Sequence, residues 1–112
     1  MIELTLSSHV LDLDRGQPAA GLNINVYTRA GDVRTLLYSA ATDDDGRIDK
    51  RAVQLDAGEA LELTFATGAW YAARGDACFY PEVVITANAA SAGHYHIPLL
   101  INRHGYSTYR GS

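Results

Sequence analysis

The sequence has little of several residue types that define whole classes of protein. It contains one cysteine, Cys78, among 112 residues, which excludes an internal disulfide framework and a zinc cluster built on several cysteines. Only nine lysines and arginines are spread along the chain, and the formal net charge is -4. Because no basic stripe is available for a phosphate backbone, a nucleic-acid partner is not expected, and a small ligand that is not a polyanion fits better.

Long apolar runs are missing as well. No stretch approaches the roughly 20 apolar residues that span a bilayer. The opening segment, MIELTLSSHV, lacks the basic and apolar parts of a secretory signal. We therefore expect a cytoplasmic protein without a membrane partner. The length suits a single domain over residues 1–112 with a core of its own.

Alternation of apolar and polar residues dominates what is present. From Ile2 to Val10 the even-numbered residues form an apolar face that includes Ser8, and the odd-numbered ones, including His9, are polar. Such alternation, recurring with turn signals about every 8 to 12 residues, is typical of a small all-β sandwich or barrel. Further extended segments are predicted at residues 22–27, 35–42, 61–65, 83–87, 94–101 and 105–112.

Two segments punctuate the strands. The run Asp43-Asp44-Asp45-Gly46 predicts a turn, since aspartate side chains cap nearby backbone N–H groups and glycine tolerates a positive φ. A calcium loop is the alternative, but the run lacks the alternating ligands and the closing glutamate of an EF-hand. Between Gly68 and Gly75 an alanine-rich stretch predicts one short surface helix.

Histidines are the first candidates for chemistry. His94 and His96 share one face of a predicted strand, with Cα atoms roughly 6.5 to 7 Å apart, and His9 lies on the polar side of the first strand. General acid–base work near neutral pH suits imidazole. A pair of solvated or interface histidines is the plainer interpretation. A zinc centre with His9, His94 and His96 as ligands is a third, although no carboxylate motif supports it.

Arg47 directly follows the acidic turn and therefore stands at the entrance to a strand, where loops of a sandwich present functional groups. A surface salt bridge with a neighbouring aspartate is the alternative, worth about 0 to 1 kcal/mol. The chain has no Gly-x-Ser-x-Gly elbow, phosphate-binding loop or dinucleotide fingerprint. A serine hydrolase or a nucleotide enzyme is therefore not supported.

The terminal segment, GYSTYRGS, keeps the alternation to its final residue. It predicts a strand that brings the guanidinium of Arg110 and the α-carboxylate of Ser112 onto one face, where they could form part of a site. The same alternation sets Tyr109 on the opposite face from Ser112. Both could serve one site only if the strand twists or bulges at Gly111, or if one residue reaches a neighbouring subunit.

Several motifs occur in order along the whole chain: LSSHVLD near the start, DDDGR in the middle, then FYPEV, HYHIPLL and the terminal GYSTYRGS. Together they closely resemble the 5-hydroxyisourate hydrolases, a transthyretin-related family of urate breakdown. The resemblance implies an all-β, transthyretin-like (prealbumin-like) β-sandwich of two four-stranded sheets with one short helix. It also implies a homotetramer that binds substrate in a channel between subunits, without a cofactor or a metal.

The resemblance further implies hydrolysis of 5-hydroxyisourate to 2-oxo-4-hydroxy-4-carboxy-5-ureidoimidazoline by histidine-assisted attack of water on a cyclic amide carbonyl. Such a reaction needs a base for water, a cation or donor for the oxyanion and an acid for the departing nitrogen. The residues implied as catalytic are His9, Arg47, His96 and Ser112. Those implied as substrate-binding are His9, Arg47, Tyr109, Arg110, Gly111 and Ser112.

Two other functions stay open at this stage. A transthyretin-type carrier would bind a small hydrophobic ligand in the same channel between subunits and perform no chemistry. A β-sandwich interaction module would show no turnover and would be a monomer or a dimer. Fold analogy alone does not separate these from an enzyme, but the ionisable residues named above favour the enzyme.

Overall fold

Short strands make up most of the structure, a computed structural model that describes residues 1–111. Within that range it has ten strand segments and one helix. Their bounds are β1 Ile2–Asp12, β2 Gln17–Pro18, β3 Asn23–Ala30, β4 Val33–Ala41, β5 Arg47–Leu55, β6 Ala60–Phe65, α1 Thr67–Ala72, β7 Val83–Ala87, β8 Gly93–His96, β9 Leu99–Asn102 and β10 Gly105–Thr108.

The strands form two sheets. One is antiparallel in the order β4-β3-β6-β7. The other is organised around β1, which pairs with β5 along one edge and with β8 and then β9 along the other, while β10 pairs with β9. β2 pairs with the end of β1, so this sheet has six strand segments. Because β8 and β9 follow one another along one edge of β1, and β5 and β2 along the other, the six segments occupy four strand positions. The predicted pair of four-stranded sheets with one short helix is confirmed.

Period-2 alternation places the core between the two sheets. On β1 the side chains of Leu4, Leu6, Ser8 and Val10 are buried, whereas Thr5, Ser7 and His9 are half-buried on the outer face. Successive side chains of a strand point to opposite faces, and burying each large apolar side chain contributes about 1.5–3 kcal/mol. A register slip of one residue would expose this set and bury His9, so the core determines which side chains face outward.

The acidic turn before β5 is confirmed, and its hydrogen bonds hold the start of that strand. Asp43 Oδ1 accepts the backbone N–H groups of Asp45 and Arg47, both at 2.9 Å. Gly46 has φ of 77°, and its carbonyl accepts the Val10 N–H at 2.7 Å. A Cβ at Gly46 would lie 2.4 Å from the Val10 carbonyl oxygen, so both the conformation and the close approach require glycine.

The prediction of one continuous strand over residues 94–101 is wrong. β8 ends at His96 and β9 begins at Leu99, with Ile97 and Pro98 between them. Pro98 has no N–H to donate to a ladder. The interruption is stabilised by β1, because Ser8 Oγ donates to the Ile97 carbonyl at 2.7 Å.

The prediction that the final strand continues without a break to Ser112 is also wrong. β10 ends at Thr108, and Gly111 then forms an isolated antiparallel bridge with His96. Thr108 pairs with Leu99, so the register of β10 is kept across a gap that lies opposite Ile97 and Pro98. The missing N–H of the proline accounts for the gap. Ser112 lies outside the described residues.

Candidate functional site

Three adjacent strands carry three of the four predicted catalytic residues, His9, Arg47 and His96, on one outer face. β1 lies between β5 and β8. Its register places His9 opposite Arg47 of β5 and Ser7 beside His96 of β8. Residues directly opposite one another in a sheet have Cβ atoms about 4.5–5.5 Å apart. The fold thus brings together His9, Arg47 and His96, which the sequence analysis named, from three separate parts of the chain.

A polar depression of about 370 Å³ opens over this face. The pairing of β1 with β5 is irregular between Leu6 and Ser8, so that two residues of β5, Asp49 and Lys50, lie opposite Ser7 alone. The lining is almost entirely polar and contains charges of both signs. Its residues are Ser7, Asp43, Arg47, Ile48, Asp49, Lys50, His94 and His96.

The volume of a depression does not by itself identify the candidate site. A larger depression of about 550 Å³ lies at the other end of β1 and β5, where Ile2, Leu55 and Ala89 line part of it. It contains carboxylates but neither a histidine nor an arginine among its lining residues. The smaller depression is the better candidate because it holds groups that can transfer protons and stabilise negative charge.

His9 is held by the acidic turn. Its Nε2 lies 2.9 Å from the backbone carbonyl oxygen of Asp45. A carbonyl can only accept, so Nε2 carries a proton, and neutral His9 has Nδ1 as its free nitrogen. The turn therefore positions two candidate residues at once, since the same segment ends at Arg47.

His96 is held from two sides. Its Nδ1 lies 2.7 Å from Ser7 Oγ, and its carbonyl accepts the Gly111 N–H at 2.8 Å. Gly111 is so close that a Cβ there would lie 2.4 Å from His96 Cδ2. Burial, followed by the positive charge of Arg47 and the neighbouring histidines, lowers the pKa of His96. His96 is therefore mainly neutral near pH 7 and can accept a proton.

The other terminal residues are placed differently. The guanidinium carbon of Arg110 lies 4.6 Å from the ring centroid of Tyr95, whose side chain is buried on the other face of β8 from the histidines. Tyr109 is 60% exposed. Within residues 1–111, Gly111 is thus the terminal residue that contacts the histidine group. The predicted role of Ser112 falls outside the described residues and stays a prediction.

Two residues of the site were missed by the sequence analysis. Ser7 Oγ lies 3.1 Å from His94 Nε2 as well as 2.7 Å from His96 Nδ1, and Thr5 Oγ1 lies 2.8 Å from His94 Nδ1. The available signal was alternation, because Thr5 and Ser7 share the polar face of β1 with His9. What the signal could not supply was the neighbouring strand.

The zinc alternative gains no support from this geometry. Over residues 1–111, no three histidine, cysteine or acidic side chains are grouped so that they could hold a metal ion. Three of the four ring nitrogens of His94 and His96 face hydroxyl groups instead.

Within residues 1–111, no helix is long and apolar enough to cross a membrane.

Comparisons with known proteins identify relatives of this chain. The profile described as the HIUase/Transthyretin family matches residues 6–111. A 5-hydroxyisourate hydrolase of Mesorhizobium japonicum is 46% identical over 96% of this chain and 91% of its own length. The solved 5-hydroxyisourate hydrolase of Klebsiella pneumoniae is 38% identical, with a TM-score of 0.79 over 96% of this chain and 99% of that one.

A transthyretin is also similar in structure. Sea bream transthyretin, solved in complex with thyroxine, has a TM-score of 0.84 over 95% of this chain and 93% of that chain. Its sequence is 25% identical. The fold is therefore common to a 5-hydroxyisourate hydrolase and a thyroxine-bound transthyretin, and a difference in function must be sought in the side chains.

Proposed function

This chain belongs to the HIUase/Transthyretin family, and we propose that it hydrolyses 5-hydroxyisourate to 2-oxo-4-hydroxy-4-carboxy-5-ureidoimidazoline in urate degradation. The observation that carries the proposal is the convergence of His9, Arg47 and His96 on one outer sheet face. Relatives that bear the hydrolase name match nearly the whole chain.

In the proposed mechanism, water is the nucleophile and His96 is its base. The lowered pKa of His96 keeps the imidazole neutral near pH 7, so it can take a proton from water as the oxygen attacks the ring carbonyl. The carbon–nitrogen bond then breaks. The proton that His96 took returns to the departing nitrogen, directly or by way of His9, so that one water is consumed and both histidines end as they began.

Arg47 stabilises the developing negative charge. Its guanidinium is always protonated and offers N–H donors in a rigid fork, and its strand position opposite His9 is set by the acidic turn. Such a group lowers the barrier only if it binds the oxyanion better than the ground-state carbonyl. We assign Tyr109, Gly111 and Ser112 to holding the heterocycle, as the family resemblance implies. The resemblance implies the same role for Arg110, but its guanidinium stacks on Tyr95, on the opposite sheet face from the histidines of the same subunit.

The carrier alternative has no specific support. A carrier for an aromatic hormone requires an apolar lining, whereas the depression beside His96 is lined by hydroxyl, carboxylate, ammonium, guanidinium and imidazole groups. Burying these groups against an apolar ligand would leave them without partners, at a cost of about 1–3 kcal/mol for each unsatisfied group.

We further propose that the chain acts as a homotetramer with its sites at subunit interfaces and that it is cytoplasmic. The depression is open on the single subunit, so further walls would have to come from another copy. Tyr109, which is exposed here, is available to such a neighbour. Sedimentation analysis at enzyme concentrations used for kinetics tests the assembly, and cell fractionation tests the location.

The activity is tested by generating 5-hydroxyisourate in situ with urate oxidase and following its ultraviolet absorbance. The compound also decays unaided, so the expected result is a faster loss when the protein is present. Arg47→Ala should lower kcat by about 10²–10³, as loss of an oxyanion donor does. Arg51→Ala is the matched control, because it removes the same charge from the same strand outside the histidine group, where Arg51 stacks on Tyr38. No acceleration by the unaltered protein would overturn the proposal.

A further inference from the structure

A series of side-chain contacts on the outer face alternates between residues of β1 and residues of β8. Thr5 Oγ1 lies 2.8 Å from His94 Nδ1, His94 Nε2 lies 3.1 Å from Ser7 Oγ, and Ser7 Oγ lies 2.7 Å from His96 Nδ1. The mechanism above uses only the last of these imidazoles. Ser7 is the link, because its hydroxyl contacts both rings.

The number of available protons limits the directions in which these hydrogen bonds can be donated. Each neutral imidazole has one N–H, and the Ser7 hydroxyl has one proton, so Ser7 can donate to one ring only. When that proton goes to His94 Nε2, Ser7 Oγ accepts from His96 Nδ1. His94 then has its own proton on Nδ1 and donates it to Thr5. In this arrangement His96 Nε2 is free of a proton.

The opposite direction has the opposite consequence. If Thr5 donates to His94 Nδ1 and His94 Nε2–H donates to Ser7, then Ser7 donates to His96 Nδ1. Neutral His96 would then carry its proton on Nε2 and could not act as a base there. The direction in which these hydrogen bonds are donated therefore determines whether Nε2 of His96 can accept a proton.

A half-turn of the His96 ring does not offer another arrangement. Cδ2 lies on the side of Gly111, where a Cβ would already be 2.4 Å away, and Nδ1 lies on the side of Ser7. A half-turn of the ring would face Ser7 Oγ with a carbon atom and lose the 2.7 Å contact. The two sides together leave Nε2 as the edge available to substrate and water.

We propose that Ser7 and His94 are positioning residues that hold His96 in the tautomer with Nδ1 protonated and Nε2 free to accept a proton. This inference rests on the proposed function for its catalytic meaning, but the tautomer itself is a property of the protein without substrate. Ser7 acts directly on His96, and His94 acts through Ser7.

The primary test is NMR of protein labelled with ¹⁵N in histidine, without substrate. His96 should show the Nδ1–H tautomer at a pH above its titration. Ser7→Ala should convert His96 to the Nε2–H tautomer or to an average of the two tautomers. Ser7→Thr, which keeps a hydroxyl group, should show the Nδ1–H tautomer. An Nε2–H tautomer in the unaltered protein, or an unchanged one in Ser7→Ala, would overturn the proposal.

Kinetics provide the second readout. Ser7→Ala should lower kcat by about 10- to 100-fold, in the range seen when a group that orients a catalytic residue is lost, with a smaller change in KM, and Ser7→Thr should recover most of it. His94→Gln removes the ring from an exposed position and cannot disturb the core, so it covers the case in which Ser7→Ala folds poorly.

The two failures are distinguishable. If the unaltered protein does not hydrolyse 5-hydroxyisourate but its His96 tautomer changes in Ser7→Ala, the positioning role stands and the proposed substrate is wrong. If hydrolysis is observed and Ser7→Ala retains full kcat and an unchanged pH profile, the positioning role is wrong and the proposed function stands.

Discussion

Adding one methyl group at Gly111 gives the sharpest test of the site. Gly111 lies directly opposite His96, and its backbone N–H bonds the His96 carbonyl at 2.8 Å. Its φ is not in the positive range, so alanine is compatible with the backbone conformation. The effect of Gly111→Ala is therefore expected to come from contact with the imidazole alone.

The size of the displacement follows from the distances. A Cβ at Gly111 would lie 2.4 Å from Cδ2, 3.0 Å from Cγ and 3.1 Å from Cβ of His96. Ordinary van der Waals contact begins at 3.4 Å, so the shortest distance falls short by about 1 Å. Misplacing a catalytic group by about 1 Å can cost on the order of 10²-fold in rate. We expect kcat to fall by about that factor.

The assay is the accelerated loss of 5-hydroxyisourate, combined with thermal unfolding of the same samples. Stability should change little, because the clash is at an outer, half-buried position near the end of the chain. Gly105→Ala is the matched control, since its added Cβ would meet nothing closer than Asn102 Oδ1 at 3.8 Å. Full activity of Gly111→Ala would refute the inferred contact between the terminal segment and His96.

Three further predictions concern pH and stability. Because burial and the charge of Arg47 lower the pKa of His96, the acid limb of kcat/KM should have its midpoint below the ordinary histidine value of about 6.5; a midpoint above that value would contradict the assignment. Because the pKa of His96 is lower in the folded chain, the unfolded chain binds this proton more readily than the folded one. The contribution of His96 to the free energy of unfolding is therefore fully present above about pH 6.5 and is lost as the pH falls below that value. Urea titrations across that range would detect the loss. Tyr71→Phe should destabilise the fold by about 1–3 kcal/mol, because the buried Tyr71 Oη donates to Asp12 Oδ1 at 2.7 Å and its loss leaves a buried carboxylate short of a donor. Calorimetry should show a lower Tm with unchanged activity at 25 °C, and an unchanged Tm would be the contrary result.

Much of the site could be predicted because it depends on local pattern. The outward orientation of His9 follows from alternation along β1, and the turn before Arg47 follows from three aspartates and a glycine. The motifs around these residues, with the terminal one, indicated the family that the comparisons show. Each of these signals lies within a few residues of what it predicts.

The contacts that join those segments could not be predicted in the same way. Ser7 and His96 are separated by 89 positions, and alternation on β1 does not say that β8 is its neighbour. The break at Pro98 was also missed, because the residue types on either side of it continue a strand-like pattern.

Local patterns in the sequence were sufficient to predict which side chains face the core and which face outward, together with the turn before β5 and the family. The reason is that side-chain alternation and turn conformation are imposed by covalent geometry over a few bonds. The tertiary structure decided that β1 lies between β5 and β8, and hence that Ser7 contacts two imidazoles and that Gly111 lies against one of them. Strand neighbours are selected by the burial of the whole apolar face, a sum over distant segments that no local pattern contains.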